Sequence, residues 1–310
     1  MANRARITVL IPTRNRPGPL ARALASLGRI TLPPDAKVDV LVVDNSADGN
    51  ARAVVDAADL PHPIAMLHVA QPGVSTARNV GCAAAAGDIV AFLDDDCEAS
   101  PTWLTAQLAT LAATGADASF GPRIAAIEGP EPPDAAWFKD TYSRDLRLED
   151  GADVTARTAH LPLPGSAFVK SRCLTGTPFD ERLDAIGGED VLLFRQLALD
   201  GRRFVWSPDA RVTEHIPQSR IDHGFVLRRR YLSGQHRCLI PMLTRPPRWR
   251  EMLEHMAKGA LITALAGPPA LLGRLSGRWP PVITGVLMSG LGKLTWWRRN
   301  RPTLYGHGHR

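Results

Sequence analysis

The amino-acid sequence predicts an α/β fold with a doubly wound, mostly parallel sheet flanked by helices. Short apolar segments alternate with helical stretches along the first part of the chain, a rhythm typical of parallel sheets. Val38–Val43 (VDVLVV) is almost continuously apolar, as expected for a strand that is buried on both faces. Polar or charged residues follow four successive predicted strands, at the edge where open α/β sheets bind their ligands.

The predicted elements alternate in order along the chain. Arg6–Ile11 is a strand, and leucines at helical spacing predict a helix over Gly18–Gly28. A small-residue helix is predicted over Ser75–Ala86, with Ser75 or Thr76 as its N-cap. Further strands are predicted at Ile64–Val69, Asp88–Leu93, Ala118–Pro122, Gly165–Lys170, Arg203–Trp206 and Ala210–His215, and further helices at Ala51–Asp59, Trp103–Thr114 and Gly188–Gly201.

One long segment, Glu128–Ala159, lacks long apolar runs and is rich in Pro and charged residues. We predict an irregular excursion there, with Trp137-Phe138 as its aromatic cluster. Long loops of this kind often serve as lids or acceptor loops.

Composition favours an ordinary globular protein in a reducing compartment. Apolar residues make up 45% and charged residues 22% of the 310 residues. The four cysteines are far apart and form no CxxC pair, which argues against a disulfide framework or a zinc site. The residues before the first strand contain no apolar leader, so we expect a cytoplasmic protein without a signal peptide.

The net charge of +6 is distributed unevenly. Residues 224–310 carry 15 Lys or Arg against two acids, which leaves 22 basic and 29 acidic residues in 1–223. The tail contains two apolar runs, Gly259–Gly273 and Trp279–Gly292, that are shorter than the roughly 20 residues of a membrane span. Trp296-Trp297-Arg298-Arg299 is typical of the headgroup region.

We therefore predict a basic helical tail that contacts an anionic membrane peripherally, at the inner face of the cell membrane. A helical subdomain packed on the sheet with a basic outer face is the alternative. Nucleic-acid binding is not expected, because long aliphatic runs separate the basic residues and no reader motif is present.

Three consecutive aspartates, Asp94-Asp95-Asp96, directly follow the apolar run Ile89–Leu93. Their carboxylates repel one another, and a divalent cation would offset that repulsion. Hard oxygen ligands suit Mg²⁺ or Mn²⁺, which usually also hold substrate phosphates. The alternative is a solvated acidic turn at the start of the following helix.

Three other predicted strands also end in polar segments. Pro12–Arg16 follows the first strand, Asp44-Asn45-Ser46 the second, and Gln71–Gly81 the third. Packing alone hardly explains this recurrence, so we expect these segments to assemble one site.

Four segments together resemble family-2 glycosyltransferases, which are inverting enzymes of the GT-A fold. These segments are VLIPTRNRP, VLVVDNSADG, PGVSTARNVGCAAAAGDIVAFLDDD and GGEDVLLFRQLALDGRRFVWSPDARVTEH. The resemblance extends from about residue 7 to about residue 220 and rests on the order and spacing of the motifs. It implies a GT-A type sheet over 1–223, with a nucleotide-binding half at 1–123 and an acceptor and catalytic half at 124–223, followed by the basic tail at 224–310.

The resemblance implies a divalent metal, Mn²⁺ or Mg²⁺, that bridges the acidic cluster to the diphosphate of a sugar nucleotide. Asp96 is then the expected direct metal ligand, Asp94 faces the nucleoside, and Asp95 contacts ribose or metal. His215 is expected to bind metal or diphosphate, and a purely structural role for this histidine is the alternative.

The nucleotide-binding residues follow from the same resemblance. Pro12, Thr13 and Arg14 match the first nucleoside-contacting loop. Asp44 matches the residue that accepts a hydrogen bond from a uracil-type base, and capping of the following helix is its alternative role. Arg78 matches an arginine near base and diphosphate, with a plain surface position on a helix as the alternative.

Glu189-Asp190 matches the family's catalytic acidic pair. One carboxylate is expected to act as the general base that deprotonates the acceptor hydroxyl, and we favour Asp190 over Glu189. An inverting single displacement needs one base and no nucleophilic carboxylate. The alternative is that both acids only stabilise the first turn of a helix.

The expected activity is transfer of a single sugar from a nucleotide-diphosphate sugar, with UDP as the expected nucleotide. The expected acceptor is a saccharide or a lipid-linked acceptor in cell-envelope or exopolysaccharide synthesis. Gln235-His236-Arg237-Cys238 does not match the Gln-x-x-Arg-Trp motif of processive synthases, which favours single-sugar transfer. The alternatives are a sugar-phosphate nucleotidyltransferase, although Pro12–Arg16 lacks the glycines of its phosphate loop, and a non-catalytic nucleotide-binding scaffold.

Overall fold

The computed structural model describes residues 6–276 and 280–297. The predictions that involve the residues before Arg6, Arg298, Arg299 and the start of the Trp279–Gly292 run lie outside these residues. The chain divides into two compact units. The first comprises Met1–Asp184 and Glu189–Ile216, and the second comprises Ala185–Gly188 and Pro217–Arg310.

The first unit contains ten strands, seven α-helices and two short 3-10 helices among its described residues. The strands are β1 (Arg6–Thr13), β2 (Lys37–Asp44), β3 (Ile64–His68), β4 (Ile89–Phe92), β5 (Cys97–Ala99), β6 (Ala118–Phe120), β7 (Arg123–Ile127), β8 (Ala167–Val169), β9 (Phe204–Trp206) and β10 (Val212–Ile216). The helices are α1 (Pro17–Leu27), α2 (Arg52–Asp56), α3 (Val74–Ala84), α4 (Trp103–Thr114), α5 (Ala135–Tyr142), α6 (Lys170–Cys173) and α7 (Glu189–Leu199).

A seven-stranded sheet with the order β3-β2-β1-β4-β8-β6-β9 forms the centre of this unit. The strands β3, β2, β1 and β4 run parallel, as do β6 and β9, whereas β8 is antiparallel to both of its neighbours. The predicted α/β fold with a mostly parallel sheet flanked by helices is therefore confirmed. The parallel strands place the ends of β1, β2 and β4 at one edge, where the predicted site residues are found.

Close helix–sheet packing positions α3 over the parallel strands. A Cβ atom on Gly81 would lie 2.5 Å from Leu10 Cδ1 and 3.0 Å from Val43 Cγ2, so only a glycine permits this approach. The strands beneath are buried on both faces, as the apolar run in β2 predicts. This packing fixes the start of α3 beside the strand ends.

A smaller sheet, with the order β5-β10-β7, links the two halves of the unit. Neither β5 nor β7 was expected, and the predicted irregular excursion contains α5, whose Phe138 and Tyr142 are buried. The prediction for Glu128–Ala159 is thus wrong over α5. Tertiary burial of aromatic side chains stabilises this helix, and local composition does not reveal it.

The described residues of the second unit form three helices, α8 (His223–Leu243), α9 (Trp249–Leu275) and α10 (Pro281–Leu294). Glycines allow close contact: an added Cβ on Gly234 would lie 2.3 Å from the Ser289 carbonyl oxygen, and one on Gly292 would lie 2.1 Å from that of Tyr231. The predicted helical tail is confirmed. At these positions the helices contact each other through their backbones, because glycine has no side chain.

The helix α9 is longer than the apolar run predicted within it. It has 27 residues and continues through Pro268 and Pro269, with Ala266 and Ala270 buried on either side of the proline pair. The apolar run is thus part of a longer helix, and the expectation that the run lies on a membrane without crossing it stays a prediction. Among residues 6–276 and 280–297, α9 is the one helix whose length and apolar composition would suffice to span a membrane, which by itself is weak evidence.

The close approach at Gly121 provides a test of this packing. An added Cβ would lie 1.9 Å from the Ala210 carbonyl oxygen, so Gly121→Ala should lower the free energy of unfolding by about 1–3 kcal/mol through overpacking. The matched control is Gly18→Ala in α1, where no atom lies within 4 Å, and it should be neutral or slightly stabilising. Urea unfolding of both variants measures the difference, and equal midpoints would contradict the packing described.

Candidate active site

The three aspartates lie directly behind β4, next to the end of β1. Pro12 and Thr13 are the last residues of β1, not part of a loop, and pair with Val43 and Asp44. Thr13 Oγ1 donates a hydrogen bond to Asp95 Oδ2 at 2.8 Å. The structure therefore brings Thr13 to the aspartate cluster, and its contact with the nucleoside stays a prediction.

Within the segment after β1, the arginine that contacts this cluster is Arg16, which the sequence analysis did not single out. Its Nη1 lies 3.0 Å from Asp95 Oδ1 and 3.0 Å from Asp96 Oδ2. Arg14, which was predicted, has an exposed side chain. Asn15 between them has a left-handed backbone with φ of 55°, and this local turn separates the paths of the two arginines.

The carboxyl groups of the three aspartates have different environments. Asp95 is 5% exposed, and burial raises the pKa of its carboxyl group although Arg16 and Thr13 oppose the rise. Asp94 is more exposed and pairs with Arg78. Asp96 shares Arg16 with Asp95, so the last two carboxylates form one charged pair with a common cation.

Arg78 connects the aspartates to the predicted catalytic acids. It projects from α3, its side chain is 7% exposed, and its Nη2 lies 3.1 Å from Asp94 Oδ1. Its Nη1 lies 2.6 Å from Glu189 Oε1. Arg78 is thus a buried bridge between two parts of the site and not a surface residue of a helix.

Glu189 and Asp190 form the first turn of α7. Burial raises the pKa of Glu189 to about 7, the neighbouring Asp190 charge adds to the rise, and Arg78 limits it. Its Oε2 is buried and has no hydrogen-bond partner among the described residues. Asp190 is half-buried, its Oδ1 accepts a hydrogen bond from the Val191 amide at 2.7 Å, and burial raises its pKa against the opposing charge of Arg78.

Asp44 supports the backbone after β2. Its Oδ1 accepts from the Ser46 amide at 2.9 Å and its Oδ2 from the Ala51 amide at 2.7 Å. Burial alone would raise the pKa of Asp44, but these hydrogen bonds bring it below the ordinary value. The capping role is therefore observed, and the contact with a base stays a prediction for a side chain that has no exposed surface here.

His215 lies on β10 beside the acidic cluster. Its amide donates to the Asp96 carbonyl oxygen at 2.8 Å, which aligns β10 with the residues after β4. Its Nε2 lies 2.7 Å from Glu98 Oε1. The side chain of His215 thus contacts a carboxylate next to the cluster, and its predicted role as a metal ligand remains a prediction.

Asp184 is a second residue that the sequence analysis missed. The N-cap of α3 is Gly73 and not the predicted Ser75 or Thr76, and Asp184 Oδ1 accepts the Ser75 amide at 2.6 Å. An added Cβ on Gly73 would lie 2.1 Å from Asp184 Oδ2. The cap therefore comes from a distant part of the chain, and local sequence holds no signal for it.

The donor set is compatible with a divalent metal that arrives with a diphosphate. No group of three or more His, Cys, Asp or Glu side chains is placed to hold a metal within the part of the chain that the structure describes. Mg²⁺ typically takes one or two carboxylates plus phosphate oxygens and needs no cage made only of protein. Asp95 and Asp96, which share one cation, supply such a pair of hard oxygen donors.

The fold is shared with solved GT-A glycosyltransferases. A mannosyltransferase from Pyrobaculum calidifontis, solved in complex with GDP-Man and Mn²⁺, has a TM-score of 0.58 and 21% identity over 95% of this chain and 88% of its own. TarS 1–349 of S. aureus, solved in complex with UDP-GlcNAc, has a TM-score of 0.55 and 15% identity over 97% of this chain and 99% of its own. At these identities the likeness shows the fold alone, which is that of the GT-A glycosyltransferases.

Sequence comparison identifies the family. The model of glycosyl transferase family 2 matches residues 8–161. The succinoglycan biosynthesis protein ExoM of Rhizobium meliloti (strain 1021) is 35% identical over 233 residues, 74% of this chain and 73% of that protein. A pre-mycofactocin glycosyltransferase of Mycobacterium tuberculosis (strain CDC 1551 / Oshkosh) is 29% identical over 90% of this chain and 56% of that protein. The chain belongs to glycosyltransferase family 2, and the enzyme class expected from the motifs is confirmed.

The raised pKa of Glu189 predicts a pH-dependent stability. The folded protein retains this proton up to about pH 7, whereas the ordinary value is 4.5, so native protein binds more protons between these values. The Glu189 contribution to stability is complete below pH 4.5 and is lost as the pH rises to about 7.

Urea unfolding at a series of pH values checks this prediction. The free energy of unfolding of wild type relative to Glu189→Gln should fall as the pH rises through that window, because glutamine cannot titrate. A difference that is constant with pH would show that the carboxyl group of Glu189 is not perturbed.

Proposed function

We propose that this enzyme transfers a single sugar from a nucleotide-diphosphate sugar, with UDP as the nucleotide, to a saccharide or lipid-linked acceptor, with inversion at the anomeric carbon. The observation that carries the proposal is the Arg78 bridge between Asp94 at 3.1 Å and Glu189 at 2.6 Å. It joins the acidic edge suited to a metal–diphosphate group to an acidic pair suited to proton transfer.

The relatives support the reaction class. ExoM is a succinoglycan biosynthesis protein, which agrees with a role in exopolysaccharide or cell-envelope synthesis. The solved relatives bind UDP-GlcNAc in one case and GDP-Man with Mn²⁺ in the other. A nucleotide-diphosphate sugar as donor and Mn²⁺ or Mg²⁺ as cofactor are consistent with both.

The acidic edge holds the leaving group in this proposal. A bound Mn²⁺ or Mg²⁺ would stabilise the leaving diphosphate as a Lewis acid, with Asp96 as direct ligand and Asp95 beside it. Thr13 orients Asp95 through its hydrogen bond of 2.8 Å. Pro12 at the end of β1 and Asp94 contribute to the surface that receives the nucleoside, and His215 borders the site next to Asp96.

Asp190 acts as the general base. Its carboxylate takes the proton from the acceptor hydroxyl while that oxygen bonds to the anomeric carbon and the bond from this carbon to the diphosphate oxygen breaks. The raised pKa of Asp190, caused by burial, makes it a stronger base than an exposed aspartate. Glu189 is held by Arg78 and keeps the start of α7 in place, which positions Asp190.

The second unit provides a surface for the membrane. The large apolar side chains of Leu253, Leu261, Leu265, Leu272 and Leu275 are exposed at helical spacing along α9, and Leu275 is 75% exposed. Exposed arginines and a lysine, which complement an anionic headgroup layer, accompany this stripe at Arg245, Arg248, Arg250, Lys258 and Arg274.

We therefore propose peripheral contact of α9 with an anionic bilayer at the cytoplasmic face. The apolar part between Lys258 and Arg274 is roughly 22 Å long, less than a hydrocarbon core of about 30 Å, so a helix lying in the interface fits better than a span. Such contact would bring the enzyme to a lipid-linked acceptor.

The general base has a direct kinetic test. Asp190→Asn should lower kcat by about 10²–10⁴-fold because the amide cannot accept the acceptor proton. Donor binding, measured by calorimetry with UDP and Mn²⁺, should be retained. The control Asp56→Asn removes a carboxylate that is 63% exposed on α2 and should keep full activity. Turnover of Asp190→Asn at the wild-type rate would contradict the assignment of Asp190 as the general base.

The membrane surface is tested with full-length protein and vesicles. Wild type should sediment with vesicles containing phosphatidylglycerol and not with neutral ones, and Leu265→Asp/Leu272→Asp should lose this binding with an unchanged unfolding midpoint, because both side chains are exposed. Leu199→Asp, an exposed leucine on α7, is the matched control and should bind like wild type. Vesicle binding that survives the double substitution, or wild type that ignores anionic vesicles, would contradict the proposal.

A further inference from the structure

Two arginines neutralise the strand-end aspartates, and they differ in freedom. The side chain of Arg78 is 7% exposed and is anchored on both sides, to Asp94 and to Glu189. The side chain of Arg16 is 39% exposed and contacts Asp95 and Asp96, whose side chains are 7% and 12% exposed. Of these two cations, Arg16 is the more exposed and is anchored to one group of carboxylates only.

The backbone of Arg16 is anchored at the start of α1. Arg16 is the N-cap of α1, its carbonyl oxygen accepts the Leu20 amide at 3.1 Å, and Pro17 follows at the first helical position. Any displacement of the guanidinium therefore occurs by rotation of the side chain about a fixed point. Such a rotation would move the guanidinium of Arg16 from the carboxylates of Asp95 and Asp96 to a group bound beside them.

A single nitrogen of Arg16 makes both contacts. Nη1 lies 3.0 Å from Asp95 Oδ1 and 3.0 Å from Asp96 Oδ2, while Nε and Nη2 donate to no acceptor among the described residues. A guanidinium with unused donors matches the oxygens of a diphosphate, which arginine binds in bidentate fashion. Arg16 can thus exchange a carboxylate pair for a phosphate group without losing its charge compensation.

The carboxylates held by Arg16 are the same two that would ligate a divalent metal. A cation that arrives alone has to displace Arg16 from Asp95 and Asp96 and leaves the guanidinium without a partner. A cation that arrives with a diphosphate supplies that partner at once. Arg16 therefore opposes the binding of metal alone and favours the joint binding of metal and diphosphate.

We propose that Arg16 is a mobile counter-charge. In the free enzyme it pairs with Asp95 and Asp96, the proposed metal-ligating residues, and on donor binding it transfers to the diphosphate. The binding of metal and the binding of donor thereby depend on each other. This proposal rests on the metal–diphosphate site proposed above. Such coupling is reciprocal: diphosphate raises the affinity for metal by the same factor as metal raises the affinity for diphosphate. Arg16 increases this common factor.

The experiment is a titration of the full-length enzyme with Mn²⁺, followed by the electron paramagnetic resonance signal of free Mn²⁺. It is carried out without nucleotide, with UDP and with GDP, on wild type and on Arg16→Gln. Arg16→Gln should bind Mn²⁺ alone more tightly, by roughly tenfold for a partly exposed pair of ionic contacts. The factor by which UDP or GDP tightens Mn²⁺ binding should be smaller in Arg16→Gln than in wild type.

Two further variants make the result specific. Arg16→Lys keeps the charge, but a lysine lacks the fork of donors for two carboxylates, so it should tighten binding of Mn²⁺ alone less than glutamine does. It also serves if Arg16→Gln fails to fold, as judged by circular dichroism. Arg172→Gln removes another arginine–aspartate pair of the same unit, Arg172–Asp117, and should change neither quantity.

The outcomes separate this inference from the proposed function. If wild type binds Mn²⁺ with nucleotide but Arg16→Gln binds Mn²⁺ alone no more tightly, the inference is overturned and the proposed site stands. If wild type binds no Mn²⁺ even with UDP or GDP, the metal part of the proposed function fails and the inference fails with it. If Arg172→Gln binds Mn²⁺ alone as tightly as Arg16→Gln does, then net charge and not Arg16 sets the affinity for Mn²⁺. That result would also overturn the inference.

Discussion

The ion pairs of Arg78 hold two carboxylates that come from distant parts of the chain within reach of one cation. Asp94 follows β4 and Glu189 opens α7, and both lie within 3.1 Å of the same guanidinium. Each of these carboxylates stands next to another acid, so without Arg78 the site would collect negative charges with little to offset their repulsion. A buried pair that loses one partner is strongly destabilised, which makes this bridge a structural requirement of the site.

The division of charge between Arg78 and Arg16 gives the aspartates separate tasks. Asp94 is tied to Glu189 through Arg78, while Asp95 and Asp96 share the more exposed Arg16. The Arg78 connection is buried, whereas Arg16 is partly exposed, which suits the exchange of Arg16 proposed above. A site that must admit a charged donor and then release a charged product benefits from this combination of one fixed and one movable cation.

Local sequence signals predicted the strand ends and therefore most of the acidic residues at the site, because periodicity and turn residues act over short distances. They did not single out Arg16, because its contacts with Asp95 and Asp96 join residues about 80 positions apart in sequence. The cap by Asp184 and the helix α5 could not be predicted from local sequence, because each depends on contacts between residues far apart in sequence. The length of α9 was missed because a proline pair ordinarily interrupts a helix, whereas here the helix continues through it.

We propose that the edge formed by Asp94–Asp96 receives a metal-bound diphosphate opposite Asp190. The most direct measurement is a crystal structure of the full-length enzyme with Mn²⁺ and an unreactive UDP-sugar analogue, in which anomalous scattering locates the manganese. We expect Mn²⁺ in direct contact with Asp96 and with the diphosphate, and we expect the anomeric carbon to face Asp190. Manganese or diphosphate bound away from this edge, or an anomeric carbon out of reach of both Asp190 and Glu189, would contradict it.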